Sequence, residues 1–227
     1  MDALEMKVAA AREALSHVRS GMTLGLGTGS TASELVRLLG DALKQGTLHD
    51  LRCTSTSEQT AELARSLGIE ILPLAIVAPL DLAIDGADEI DSRLRLIKGR
   101  GGALLREKIV EQQARWFIVI ADESKVVEKL GLGPLPVEVT PFAREVLEQR
   151  FRDMGLEPVL RIRDGKPRIT DEQHLIFDVR VPRDQDIADV VAQIREHSGV
   201  VDTGFFPTEA TEAIIAGPRG IRRMKRT

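Results

Sequence analysis

The segment GLGTGST, Gly25 to Thr31, places three glycines and three hydroxyl side chains between an apolar run and a helix-like stretch. Glycines let a backbone approach a ligand closely and adopt positive φ. A helix start adds free N–H groups at the positive end of its dipole. Thr28, Ser30 and Thr31 supply hydroxyl donors, so the chemistry to expect is the binding of a phosphate. A P-loop needs a Gly-Lys-Ser/Thr ending, and the segment has no lysine. A dinucleotide fingerprint needs its third glycine where Ser30 stands. It also needs an acidic residue closing the next strand, which instead ends Cys53-Thr54-Ser55-Thr56. A small phosphate monoester is the ligand that remains.

Two further segments carry groups able to move protons. AIDGADEID sets Asp85 at the end of an apolar run and Asp88 across the Gly86 turn. Neighbouring carboxylates raise the pKa of one another, which makes a proton donor near neutrality. Glu89 and Asp91 read as solvated turn residues. A divalent-metal site lacks a nearby histidine, and the spacing is not that of an EF-hand, so no metal is expected. In LIKGRGGALLREKIV, Lys98 closes a strand, Gly99, Gly101 and Gly102 form a turn, and a helix starts near Ala103. Leu105, Ile109, Val110 and Ala114 define an apolar arc on that helix. Arg106 falls inside the arc and needs a partner or a rim position. Glu107 falls at its border, where partial desolvation raises a carboxylate toward the range of a general base.

The elements that must position these groups alternate. Helices are expected over residues 4–19, 32–43, 58–67 and 103–113, with strands at 22–26, 51–54, 69–72, 82–84, 94–97 and 117–120. Strands alternating with helices predict an α/β fold, a parallel sheet covered on both faces, with ligands bound where strands end and helices begin. After Leu130 the turn-rich GLGPLPVEVTPF marks a boundary. A smaller α+β unit follows, with helices at 143–154 and 187–197 and strands at 159–162, 175–181 and 200–205. Residues 213–216 are expected to return to the first sheet. The domain expectation is therefore 1–130 with 208–227, and 131–207.

The chain has 227 residues, enough to bury a large core, and a net charge of -4, which gives no general attraction to nucleic acid. Its single cysteine, Cys53, excludes an internal disulfide and a cysteine zinc cage, and reads as a small core residue in a reducing cytoplasm. No run is apolar enough to span a bilayer, and no signal peptide is read at the N-terminus. Histidines 17, 49, 174 and 197 show no ligand spacing, Trp116 reads as packing, and the basic tail from Arg222 to Arg226 reads as a solvated end.

In their order and spacing, GLGTGST, DGADEID, KGRGGALLREKIV, ADESK, PLPVEV and GVVDTGFF resemble type A ribose-5-phosphate isomerase over nearly the whole chain. The resemblance implies a Rossmann-like domain with a smaller ferredoxin-like α+β domain, in a homodimer or homotetramer. It implies that Thr28, Gly29, Ser30 and Thr31 hold the substrate phosphate. Further substrate contacts would come from Asp85, Gly86, Ala87, Asp88, Lys98, Gly99, Arg100, Gly101 and Lys125, with Lys7 as a phosphate counter-charge. Glu107 would be the proton acceptor, Lys98 would stabilise the oxyanion, Asp85 would open the sugar ring, and Asp88 would orient hydroxyls. The implied reaction interconverts ribose 5-phosphate and ribulose 5-phosphate through a cis-enediolate, without cofactor or metal. It is a cytoplasmic step of the non-oxidative pentose phosphate pathway, with no nucleic-acid or membrane partner. Arg100 departs from the glycine more frequent there, and would be costly at positive φ. Two rivals fit parts of the pattern. An amino-sugar-phosphate deaminase would need the same cradle and carboxylates. A non-catalytic sugar-phosphate sensor would have no need of Glu107, Asp85 and Lys98 together.

Overall fold

The computed structural model describes residues 1–226. Helix α1 (Ala3–Leu15) is started by a capping box, in which Asp2 accepts from the Leu4 and Glu5 amides while Glu5 accepts from the Asp2 amide. It ends four residues before the expected Arg19. Ser16 turns its hydroxyl onto the Glu13 carbonyl, His17 and Val18 close tight turns, and Val18 folds into the core. Next come β1 (Thr23–Leu26), α2 (Ser30–Lys44), β2 (Arg52–Ser55) and α3 (Glu58–Ser66). The expected strand at 69–72 reduces to one bridge between Ile71 and Cys53, and a short helix, α4 (Leu74–Val77), follows. After β3 (Leu82–Asp85) come β4 (Glu89–Ile90) and β5 (Leu96–Ile97). Strand β5 is shorter than expected because Leu94 has φ 59° and Asp91 accepts from the Arg93 and Arg95 amides, which makes a tight turn. Helix α5 (Leu104–Gln112) and β6 (Phe117–Asp122) complete this part.

The turn-rich boundary contains a strand, β7 (Leu135–Val139), hidden in the sequence by Pro134 and Pro136; all five of its residues are buried, so it shows no alternation. It is followed by α6 (Arg144–Asp153), β8 (Glu157–Leu160), β9 (Ile162–Arg163), β10 (Lys166–Pro167), β11 (Leu175–Arg180) and α7 (Ile187–Arg195). The strand expected at 200–205 splits into β12 (Val200–Thr203) and β13 (Phe205–Phe206). Gly204 stands at the break because its backbone lies against Lys98; a Cβ there would sit 2.1 Å from the Lys98 carbonyl oxygen. The chain then forms β14 (Glu212–Gly217) and β15 (Gly220–Lys225). The basic tail is thus an edge strand rather than a free end, with exposed side chains and a paired backbone. Thr227, the last residue of the expected 208–227 stretch, lies outside the described residues.

Six strands form the main sheet in the order β15-β14-β6-β3-β1-β2, parallel except for β15. Leu24, Leu26, Ile118, Ile120 and Ile214 pack with α1 and α2, while Val119, Ala121, Ala213 and Ile215 belong to a second cluster. Burial on both faces is what makes these strands continuous apolar runs. Four strands form an antiparallel sheet, β12-β7-β11-β8, and β13-β5-β4 form a small one that carries Lys98 at its end.

Candidate active site

Strands β1, β3 and β6 end on the same side of the sheet, since all three are parallel neighbours or next neighbours. Each is followed by one of the polar segments. A cavity of about 250 Å³ lies at these ends. Its wall includes Thr28, Gly29, Ser30 and Thr31 after β1, Gly86, Ala87 and Asp88 after β3, and Asp122, Ser124 and Lys125 after β6. Lys98, Gly99 and Gly101 reach it from β5, Glu107 from α5, and Lys7 from α1. A larger cavity, about 540 Å³, lies beside α3 and α5 and contains none of these groups. Arg106, on its wall, is paired with Glu58 and Glu172, which answers the demand its position on α5 makes for a partner.

Gly29 precedes α2 with φ 104°, a conformation glycine adopts without strain, and no side chain caps the helix. The first amides of α2 therefore open onto the cavity, with the Lys7 and Lys125 side chains in the same wall. Thr28 lines the cavity, and its hydroxyl, 2.7 Å from Thr56 and 2.8 Å from Ser57, also braces the turn. Gly27 is required for another reason. A Cβ there would overlap the Asp85 carboxylate at 2.1 Å, so this glycine brings the cradle against the acidic turn.

Lys98 is the electrostatic centre. It is 2% exposed, and its ammonium lies 3.0 Å from Asp85, 3.2 Å from Glu111 and 3.8 Å from Glu107. It also donates to the Gly86 carbonyl. Burial alone would lower its pKa, but the three carboxylates outweigh that and hold it above the ordinary lysine value. The rings of Phe117 and Phe206, 5.9 and 5.6 Å from the ammonium, exclude water on other sides. Glu107 is 3% exposed, and burial pushes it up to about 8, with Lys98 pulling down and Asp85 and Asp88 pushing up. Asp88 is also raised by burial, against the opposing pull of the Arg100 amide and of Arg100, Lys98 and Lys125.

Several positions differ from the sequence reading. Asp85 is not in the cavity wall: its Oδ1 accepts from the Thr28 and Gly86 amides, and its Oδ2 lies behind Lys98. Arg100 is not in the wall either, and it avoids positive φ. Its amide donates to Asp88 and its guanidinium turns to Glu89 at 3.4 Å. Glu89 and Asp91 are buried, not solvated. Glu89 accepts from the Gly131, Leu132 and Gly133 amides, and Asp91 holds Arg95. On α5 the buried face is Leu104, Glu107, Lys108, Val110 and Glu111, while Ile109 is exposed, so the expected apolar arc is rotated and largely charged. Lys108 is matched there by Asp202 at 2.8 Å and the Thr203 carbonyl, which ties α5 to β12. Glu111, Asp122 and Ser124 were missed. The spacing of Glu111, one turn after Glu107 on α5, was the available signal.

Residues 52–220 match the family model described as ribose 5-phosphate isomerase A (phosphoriboisomerase A). A ribose-5-phosphate isomerase A of Sinorhizobium medicae is 47% identical over 99% of both chains. A solved D-ribose-5-phosphate isomerase in complex with phospho-erythronic acid superposes with TM-score 0.95 at 39% identity, covering 100% of each chain. The ribose 5-phosphate isomerase A of Methanocaldococcus jannaschii superposes with TM-score 0.92 at 38% identity over 99% of this chain and 100% of the other.

Proposed function

Since the chain belongs to the ribose 5-phosphate isomerase A family, isomerases that interconvert ribose 5-phosphate and ribulose 5-phosphate, we propose that Glu107 carries the proton and Lys98 the developing charge. The single observation behind this reading is Glu107 in the cavity wall, 3.8 Å from a buried ammonium. The substrate phosphate binds the α2 amides, Ser30 and Thr31, with Lys7 and Lys125 as counter-charges and Gly29 giving close approach. Gly86, Ala87, Gly99 and Gly101 shape the sugar site with backbone groups, and Thr28 braces the cradle.

Ring opening needs a proton donor that touches the sugar. Asp88 lines the cavity with a raised pKa, whereas Asp85 stands behind Lys98, so the ring-opening role expected of Asp85 falls to Asp88. Asp85 fixes the ammonium instead. In the open chain, Glu107 takes the C2 proton and the electrons pass to O1, forming a cis-enediolate. Glu107 returns the proton to C1 while the hydroxyl proton on O2 moves to O1, which leaves the ketose. Lys98 balances the transient charge on the oxygens. Phospho-erythronic acid, bound by the solved relative, is a phosphorylated sugar acid with an anionic planar end, as an enediolate has.

Lys98 supplies the positive charge among the carboxylates, so the reaction proposed calls for no metal. Conversion of ribose 5-phosphate to ribulose 5-phosphate should be detected with an unchanged rate after EDTA treatment; a rate that follows added divalent metal would overturn this part. Replacing Ser30 and Thr31 together by alanine should raise KM for the phosphorylated sugar by roughly tenfold, the worth of one or two hydrogen bonds to a charged group. Equal handling of unphosphorylated ribose by the unaltered enzyme would reject the cradle.

We also assign residues 1–130 and 208–226 to the catalytic unit and 131–207 to the smaller one. Association into a dimer or tetramer would cover apolar surface such as Phe142, Val146 and Val159, all more than half exposed on the smaller unit. No helix among the described residues is long and apolar enough to cross a membrane; a cytoplasmic step of the non-oxidative pentose phosphate pathway suits the substrate.

A further inference from the structure

Behind the cavity wall, three carboxylates surround one ammonium, and the donors available do not satisfy them equally. Asp85 Oδ1 has two backbone amides, from Thr28 and Gly86. Asp85 Oδ2 lies 3.0 Å from Lys98 but has no donor in hydrogen-bonding geometry. Both oxygens of Glu111 are buried without any hydrogen-bond donor, although Lys98 is 3.2 Å away. Asp85 Oδ2 and Glu111 Oε1 lie 3.0 and 3.2 Å from the same ammonium, so the two carboxyls are immediate neighbours. One proton placed between these two carboxyls answers both deficits at once, and a buried donor-less carboxylate is otherwise costly. It also reduces the cluster from three negative charges against one positive.

We propose that Glu111 is a positioning residue held as a neutral carboxylic acid, which donates its proton to Asp85 Oδ2 and so locks the Asp85–Lys98 pair behind Glu107. This rests on the reading of Glu107 and Lys98 given above. Glu111 does not line the cavity and touches no substrate; it acts through Lys98. The groups facing it are Asp85 from β3, Lys98 from the end of β5 and Glu107 one turn earlier on α5. Burial, reinforced by Asp85 and Glu107 and opposed by Lys98, raises Glu111 well above the ordinary glutamate value. Glu107 and Glu111 then divide the work by proton affinity: Glu107, at about 8, exchanges its proton, while Glu111 keeps its own.

The test compares Glu111→Gln, which can still donate to Asp85, with Glu111→Met, which fills similar space without a donor. The methionine variant should lose about tenfold in kcat with little change in KM, and glutamine should recover most of that loss. If methionine works as well as glutamine, Glu111 is packing only and the proposal fails. A second reading does not depend on the methionine variant folding. In infrared spectra at about pH 9, above the Glu107 value, the wild-type enzyme should show a protonated-carboxyl band that Glu111→Gln lacks. Absence of that band from the wild type, or its survival in Glu111→Gln, overturns the proposal. Retained turnover in a Glu107→Gln enzyme would instead reject the catalytic reading while leaving this band in place, so the two failures are distinguishable.

Discussion

A Glu107→Gln enzyme should lose roughly 10²–10⁴-fold in kcat, the span usually carried by a positioned proton carrier, while KM for ribose 5-phosphate stays close to the wild-type value. Glutamine preserves the volume of a side chain that is 3% exposed, and it removes the wall carboxylate that lies 3.8 Å from the Lys98 ammonium. In the proposed site the phosphate is held by the start of α2 with Lys7 and Lys125, all in the cavity wall and none altered by this change. The pH dependence gives an independent check. Glu107 must be ionised to accept a proton, and burial holds it at about 8 in the free enzyme. In the wild type, kcat/KM should therefore rise about tenfold per pH unit below that value and level off above it. The residual rate of the glutamine variant should lack this limb. A variant that turns over normally, or one whose residual rate keeps the same limb, would reject Glu107 as the base.

What the sequence discloses about this site divides along a physical line. Groups that follow strand ends could be placed, because apolar runs and glycine turns are local signals and a parallel sheet brings its strand ends together. Gly29 to Thr31, Asp88, Lys98, Glu107 and Lys125 come to one cavity for that reason. Burial of charge was not legible, because it is decided by partners far along the chain. Glu89 looks like a surface turn residue until the amides of Gly131, Leu132 and Gly133 converge on it. Asp85 looks like a wall residue until Gly27, with no side chain, lets the cradle close over it. The helical wheel of α5 misled for the same cause. Its inward face carries Glu107, Lys108 and Glu111, each acceptable only because Lys98 and Asp202 lie opposite. The strand at Leu135–Val139 was lost to its prolines, since a fully buried strand has no alternation to counter them.

In the proposed mechanism the fold and the chemistry share one charge, and a Lys98→Met substitution should expose that dependence. Turnover should fall at least as far as in Glu107→Gln, because the enediolate would form beside carboxylates with no cation to offset it. The effect on stability should be equally diagnostic. Removing one partner from a buried ionic cluster costs about 3–5 kcal/mol when the charges left behind stay ionised. Here they can escape by taking up protons, so the deficit should depend on pH. Without Lys98, which now pulls Glu107 and Glu111 down, both would be held still further above their unfolded value of 4.5. Above about 8 the folded variant would then hold a proton that the folded wild type has released, and its stability relative to the wild type falls as pH rises there. In the wild type Glu107 already keeps its proton up to about 8, so urea unfolding should show a deficit that is nearly constant from about pH 5 to 8 and grows above about 8, where the wild type releases this proton and the variant holds it. Adding Asp85→Asn, which removes the charge 3.0 Å from the missing ammonium, should restore much of the stability and none of the activity. A deficit that stays flat even above about pH 8 would mean that methionine merely packs poorly among Phe117, Phe206 and their neighbours. If the double variant regained turnover, Lys98 would be only a structural counter-ion, and another group would have to stabilise the enediolate.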